Sequence, residues 1–343
     1  MSKMTAKGLL ELIKKAGSSF LKDKIPKLSA ALAYYTIFSI GPMLMVIIYL
    51  SNIFFRQNAI EGTIVNQLGS FVGPNAALQL QEIIKNASVD SSSTLAAIIG
   101  FATLLIGATT VFSEIQDSIN LIWNLQQKAS TPWWKLLLTR ILSFSIVVAL
   151  SFLLLVSLVI NGLLDGLMSR IQEVFPQFSV VLIYVINLVV TLIITSFLFG
   201  IIYKVMPDAQ IKWRDVATGA IFTAILFNIA KFGITLYIGT SNIGSAYGAA
   251  GSLIVLLLWI YFSSMILYFG AEFTKAYAIK YGGEIRPNKY TEIVQTITIK
   301  SNKKSLQENE AAKEKTEQKA QEQQDKEQKP ASNSSKTTVA GKL

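Results

Sequence analysis

Four ionisable side chains stand where an apolar environment makes them costly, and they are the residues best placed to do chemistry. Glu114 and Asp117 close an apolar run that begins near residue 94, Lys231 stands inside another, and Glu272 lies near the end of the last. Ionisable groups in such positions face a bundle interior or water and mark functional sites. Their chemistry is acid–base or ion binding. The sequence contains no histidine and no cysteine, which removes the usual general base, the commonest metal ligand and all thiol chemistry. No spacing of Ser, Lys and acids pairs a nucleophile with a base, so no catalytic residue, metal site or cofactor is expected.

Each group belongs to a stripe. Ala96, Gly100, Thr103, Gly107, Thr110, Glu114 and Asp117 recur at i, i+3/i+4 and share one helix face. That face is either a polar pathway ending in an acidic pair or a packing seam of small residues whose acids lie at the interface. At 1.5 Å per residue Glu114 lies roughly 30 Å along the helix, near its inner end. A second stripe runs through Ala217, Ala220, Ala224, Asn228, Lys231 and Thr235. Lys231 falls about 25 Å from Arg214 by the same count, in the outer part of a bilayer. It either snorkels to the outer headgroups or pairs within the bundle, Asp165 being the candidate partner. Tyr261, Met265, Tyr268 and Glu272 form a third stripe, and Glu272 is either an interfacial ion pair with Lys275 or part of a proton relay. Tyr34 and Tyr35 line the inner half of the first run or pack in its core. Gly41-Pro42 predicts a bend there. The Gly244–Gly251 segment, with Tyr247, reads as a hinge or an irregular entry to the last span. It lacks the Lys-Ser/Thr ending of a phosphate loop.

The elements that position these groups are membrane spans. With 52% hydrophobic and 15% charged residues, the chain has too little polar surface for a soluble protein of its length. Continuous apolar runs near 30–55, 94–113, 140–163, 179–203, 215–238 and 250–273 meet the length of a spanning helix. The expected fold is all-α, a polytopic membrane protein of six transmembrane helices. Seven lysines precede the first span, Arg56 and Lys85 alone mark the first loop, and the fifth loop has no basic residue. Lys204, Lys212 and Arg214 mark the fourth loop, and many basic residues follow the sixth span. This alternation predicts both termini in the cytoplasm and accounts for the net charge of +10 without a nucleic-acid partner. The first run begins too late and runs too long for a cleaved signal peptide.

Three organisational units follow. Residues 1–29 form a cytoplasmic segment whose stretch 8–21 sets Leu9, Leu12, Ile13 and Phe20 against Lys14 and Lys15, an interfacial helix on the inner leaflet. Residues 30–275 hold the spans, with a long external loop at 56–93 whose periodicity fits two short amphipathic helices. Residues 276–343 form a cytoplasmic tail, largely disordered because it is too polar to bury a core. Trp123, Trp133, Trp134 and Trp213 are expected to anchor helices at headgroup level.

Leu28-Ser29-Ala30-Ala31-Leu32-Ala33-Tyr34-Tyr35-Thr36 with Ser39 and Pro42 resembles the opening span of the YihY/BrkB family of bacterial inner-membrane proteins. Ile122-Trp123-Asn124, Pro207 with Trp213, Gly219-Ala220, Tyr247-Gly248-Ala249, Leu258-Trp259-Ile260-Tyr261 and Gly270-Ala271-Glu272 extend the resemblance over roughly residues 20–280. It implies a six-helix inner-membrane protein, of a kind labelled a transporter or associated with virulence and serum resistance. The family has also been labelled ribonuclease BN. A zinc hydrolase needs ligands of a kind this chain mostly lacks, and its conspicuous acids sit on spans, which argues against a nuclease. The expected function is transport of an ion, small anion or lipid. The alternative is a non-catalytic interaction or envelope-integrity protein. Membrane lipids are the expected partners beside an unknown cargo, and homo-oligomerisation is left open.

Overall fold

A computed structural model describes residues 5–54, 78, 94–128, 132, 179–241, 247, 250–294 and 305. The chain divides into two units, 1–294 and 295–343, and all of these residues but Ser305 belong to the first. Among the described residues, six helices of at least 17 residues account for nearly all the structure: α1 (Ala6–Lys22), α2 (Ile25–Phe54), α3 (Thr94–Ile122), α4 (Ser179–Val205), α5 (Trp213–Thr240) and α6 (Gly251–Tyr281). Four short strands, β1 (Leu125–Gln127), β2 (Ala209–Gln210), β3 (Arg286–Pro287) and β4 (Thr291–Ile293), complete it.

Local sequence explains where the helices start and stop. The Thr5 side chain accepts from the Gly8 N–H at 3.2 Å and caps α1. Lys24 then takes a positive φ of 54°, and Pro26 opens α2, where its missing N–H costs nothing. The helix continues without interruption through Gly41-Pro42. At the end of α3, Asn124 adopts φ 59°, a left-handed conformation that asparagine tolerates and that terminates helices.

Helices α2 to α6 correspond to the spans expected near 30–55, 94–113, 179–203, 215–238 and 250–273. The span expected at 140–163, the loop 56–93 apart from Leu78, and Asp165 lie outside the described residues. Among the described residues, Val185–Val205, Trp213–Thr240 and Leu253–Tyr281 are long and apolar enough to cross a membrane. Their outward surface is apolar too. Ile221, Ile225, Ile229, Phe232 and Leu236 form an exposed stripe along α5, which water would penalise and lipid accommodates.

Two helices run well past their expected ends. The last turns of α3 carry Gln116, Ser118 and Asn120, all buried, and α6 continues to Tyr281. Hydropathy fades at these polar residues, but the protein supplies their partners. The region expected as a tail from 276 is therefore folded as far as Val294.

The central helix is α6, which packs against each of the other five. Its tightest contact is with α5. A Cβ on Gly219 would collide with the Thr274 side chain, and one on Gly270 would collide with Thr223 and the Tyr203 hydroxyl. Tyr203, fully buried on α4, donates to the Leu267 carbonyl at 2.8 Å and so ties α4 to the same crossing. On the other flank, Gly107 of α3 lies close enough to α2 that a Cβ would meet Ser39 Oγ at 2.7 Å.

The strands gather at one end of the bundle. β1 pairs antiparallel with β4, Leu125 opposite Ile293, and β2 with β3, Ala209 opposite Pro287. The segment after α6 thus closes over the ends of α3, α4 and α5. The start of the chain lies at the same end. Leu12 and Ala16 of α1 pack on Phe273 and Ala276 of α6, and Glu11 pairs with Lys280. This differs from a helix resting on the leaflet alone, because the most buried part of its apolar face is covered by α6. Lys280 also holds the Glu11 carboxyl below its ordinary range. Every described lysine and arginine except Lys231 belongs to this end.

The α5–α6 crossing yields a direct comparison. Gly219→Val should destabilise the protein by about 1–3 kcal/mol through overpacking. Gly17→Ala, where a Cβ meets nothing within 4 Å, should be neutral or stabilise by about 0.5–1 kcal/mol. Thermal unfolding in nanodiscs separates them; equal midpoints would show that α5 and α6 are not held at glycine distance.

Candidate functional site

Between α2 and α3 lies an open groove of about 550 Å³ lined by Tyr35, Ile106, Thr109, Thr110, Ser113, Glu114 and Asp117. The stripe read from the sequence divides here into both of its alternatives. Gly107 is the packing seam against Ser39, and the next turns, from Thr109 to Asp117, line the groove. Tyr35 reaches the groove from α2, whereas Tyr34 is 56% exposed and meets Tyr35 edge-to-face and Phe38 at a tilt.

The polarity of the groove follows from the helix it is built on. Thr110 Oγ1 donates to the Ile106 carbonyl at 2.9 Å and Ser113 Oγ to the Thr109 carbonyl at 2.7 Å. With their protons directed into the helix, these oxygens keep only lone pairs for a ligand. Glu114 and Asp117 add carboxylates, and none of the described lining residues is basic. The wall therefore offers acceptors and negative charge. Such a surface suits a cation or an ammonium group and repels an anion.

Behind the groove the acids meet a buried polar layer. Ser118 Oγ lies 3.5 Å from Glu114 Oε1, and Tyr268 of α6 faces Ser118, Glu114 and Asp117. One turn along α6, Glu272 is 2% exposed. The interfacial ion pair with Lys275 is replaced by a different arrangement. The Lys275 ammonium donates to the Ile122 carbonyl and to Asn124 Oδ1, capping the C-terminus of α3, where carbonyls lack helical partners. The ion pairs among the described residues are Lys280–Glu11 and Arg286–Glu284.

The other expected site residues do not join the groove. Asn228 donates to the Ala224 carbonyl of its own helix at 2.8 Å. Lys231 is half-buried on α5, which packs on α4 and α6. Tyr247 is 59% exposed. Pro42 lies within α2, its side chain outside the described residues. Trp123 is corrected from headgroup anchor to core residue: it is 5% exposed and its Nε1 donates to the Ala271 carbonyl at 3.2 Å. The left-handed turn at Asn124 follows it directly. Trp213 does sit at the surface, with the Lys204 ammonium 5.6 Å from its ring centre.

Sequence reasoning missed a polar clamp beside the groove. Asp208 Oδ2 accepts from Gln116 Nε2 at 3.2 Å and Asn120 Nδ2 at 2.9 Å, while the Asp208 N–H donates to Asn120 Oδ1 at 2.9 Å. Its carbonyl accepts from the Asn288 N–H at 3.0 Å. Buried Asp215 accepts from the Gly283 N–H at 2.8 Å. Two amides one turn apart at the end of an apolar run were the available signal.

These features define a mostly helical membrane protein built around a central sixth helix. A family model described as Virulence factor BrkB matches residues 16–292, and the chain belongs to that family. A UPF0761 membrane protein of Alteromonas mediterranea is 27% identical over 259 residues, 74% of this chain and 83% of the relative. One from Haemophilus influenzae is 29% identical over 255 residues, 74% of this chain and 90% of the relative. No solved structure matches the chain.

The clamp is tested by Asn120→Ala, which strips Asp208 of a donor and an acceptor in a buried setting. The expected cost is about 1–3 kcal/mol, with faster hydrogen exchange at 206–211. Unchanged exchange there would show that Asp208 does not hold the α4–α5 connection to α3.

Proposed function

We propose that the protein is a transporter of the bacterial inner membrane that accepts a small cation or an amine-bearing solute, works without covalent chemistry, and keeps its basic end in the cytoplasm. The observation that carries this reading is the groove: a space of about 550 Å³ in which the Thr110 and Ser113 hydroxyls donate back into α3 and, among the described residues, the charged lining is two carboxylates. Of the cargo classes that the sequence left open, a small anion fits this wall least. The reading of the compartment rests on the bacterial relatives and on the basic end, since basic residues are retained on the cytoplasmic side. A second reading, a non-catalytic envelope protein, draws on the description of the family as a virulence factor.

Solid-supported-membrane electrophysiology on proteoliposomes tests the first reading. Concentration jumps of monovalent cations and small amines should give transient currents, and jumps of chloride should not. Glu114→Gln with Asp117→Asn should reduce the response at least tenfold. Currents that persist in the double variant, or none in the wild type with any of these solutes, would leave the envelope reading in place.

Orientation is open to test because the chain has no native cysteine. Ser18→Cys on α1 and Glu284→Cys after α6 should resist a membrane-impermeant maleimide in intact cells and react after lysis, whereas Tyr247→Cys should react without lysis. Labelling of Ser18→Cys in intact cells would reverse the assignment.

A further inference from the structure

The groove between α2 and α3 changes character along its length. Its α3 lining runs from Ile106 to Asp117, about 17 Å at 1.5 Å per residue. Both carboxylates, Glu114 and Asp117, stand toward Ile122, where Lys275 binds the end of the helix. At the opposite end Ile106 lines the cavity and is itself 69% exposed. The close contact of Gly107 with Ser39 sets Phe38 of α2 level with Ile106. Tyr35 lines the cavity from α2 and begins an aromatic ledge. Tyr34 lies 5.6 Å from it between ring centres, and Phe38 lies 4.6 Å from Tyr34. All three rings are exposed. Between the two ends, Thr110 and Ser113 present oxygens whose protons are committed to α3. The described lining is therefore anionic at one end, hydrogen-bond accepting in the middle, and apolar and aromatic at the other.

We propose that the groove receives an organic ammonium ion carrying an apolar substituent, with its charged head at Glu114 and Asp117 and its apolar part along Ile106 toward Phe38. A bare cation would use one end of this space and leave the other unmatched. A volume of about 550 Å³ lies in the range of sites that hold organic ligands. The carboxylates supply the countercharge, and the Thr110 and Ser113 oxygens accept from the ammonium N–H groups. The face of the Tyr35 ring attracts a cation, most strongly where water is excluded. Ile106 and the aromatic ledge then cover a hydrocarbon chain that neither the acids nor the hydroxyls could hold. The inference rests on the transport reading and narrows its cargo. Tyr35 and Ile106 become the residues that separate such a solute from a bare cation.

The test is isothermal titration calorimetry of the full chain in uncharged maltoside micelles at neutral pH, with protein-free micelles subtracted. The probes are hexylammonium, methylammonium and, as a neutral control, hexanol. Hexylammonium should bind about tenfold or more tighter than methylammonium, and hexanol should not bind. Tyr35→Leu should weaken hexylammonium about fivefold or more, while Tyr35→Phe, which keeps the ring, should bind as wild type does. Ile106→Ser should remove most of the preference for hexylammonium over methylammonium. This variant carries the test if Tyr35→Leu fails to fold. Equal affinity for the two ammonium ions in the wild type would overturn the inference, as would binding of hexanol as tight as that of hexylammonium. A preference for hexylammonium that survives Ile106→Ser would overturn it too. Currents driven by sodium or potassium, without binding of either ammonium ion, would sink it and leave the transport reading standing. The expected binding pattern without currents for any solute would sink the transport reading alone.

Discussion

The close approach of α5 and α6 is the constraint on which the rest of the structure depends. In lipid there is no hydrophobic force to drive helices together, so association relies on backbones that can come near enough for dense packing. Gly219 and Gly270 provide that approach, and the space each leaves is filled by a threonine of the facing helix. Thr223 and Thr274 bond their hydroxyls to carbonyls of their own helices, Gly219 and Gly270, so no polar atom is stranded at the contact. Tyr203 then attaches α4 through its hydroxyl. Once α6 is fixed in this way, its remaining faces are free for α1, α2 and α3.

A second layer of organisation closes the helix ends. Helix termini leave backbone carbonyls and amides unpaired, and this end is crowded with them. The protein satisfies them with side chains from elsewhere in the fold: Lys275 on the last carbonyl of α3, Lys204 on the carbonyl of Ile211, and Asp215 on the Gly283 amide. The two-stranded pairings bind the segment after α6 to the connections after α3 and α4. The Lys275 and Asp215 bonds reach across more than 60 residues of sequence and join elements that the lipid-facing surfaces do not hold together.

The groove and the polar clamp share α3, and this explains why one helix carries both packing and polar residues. On one turn Gly107 brings α2 close. The next turns present hydroxyls and then acids, and the turn after those presents amides to Asp208. A hydroxyl bonded back to its own helix is inexpensive in an apolar setting and still accepts from a ligand. The acceptor character of Thr110 and Ser113 in the groove comes from this local habit of Ser and Thr, which repeats at Thr36, Ser39, Thr218 and Ser264.

The sequence by itself determined the class of the protein, the position of most helices and the family, because each depends on properties that accumulate along the chain. Apolar run length locates α2 to α6, and the acids of α3 could be placed on one face with the hydroxyls by counting residues. What needed the tertiary structure was every relation between distant residues. Hydropathy ended α3 at 113 because Gln116, Ser118 and Asn120 are polar, yet all three are buried, and Gln116 and Asn120 bond Asp208, about ninety residues away. Lys275 was read with Glu272 because the two are near in sequence, but its ammonium goes to the end of α3. Trp123 was read as a surface anchor by composition and proved to be core, since a turn at Asn124 and a carbonyl at Ala271 decide its direction. Periodicity gives the face of a helix. Which neighbour covers that face, and whether a buried acid finds a counter-charge, is set by packing between helices, and one chain's local pattern carries no record of it.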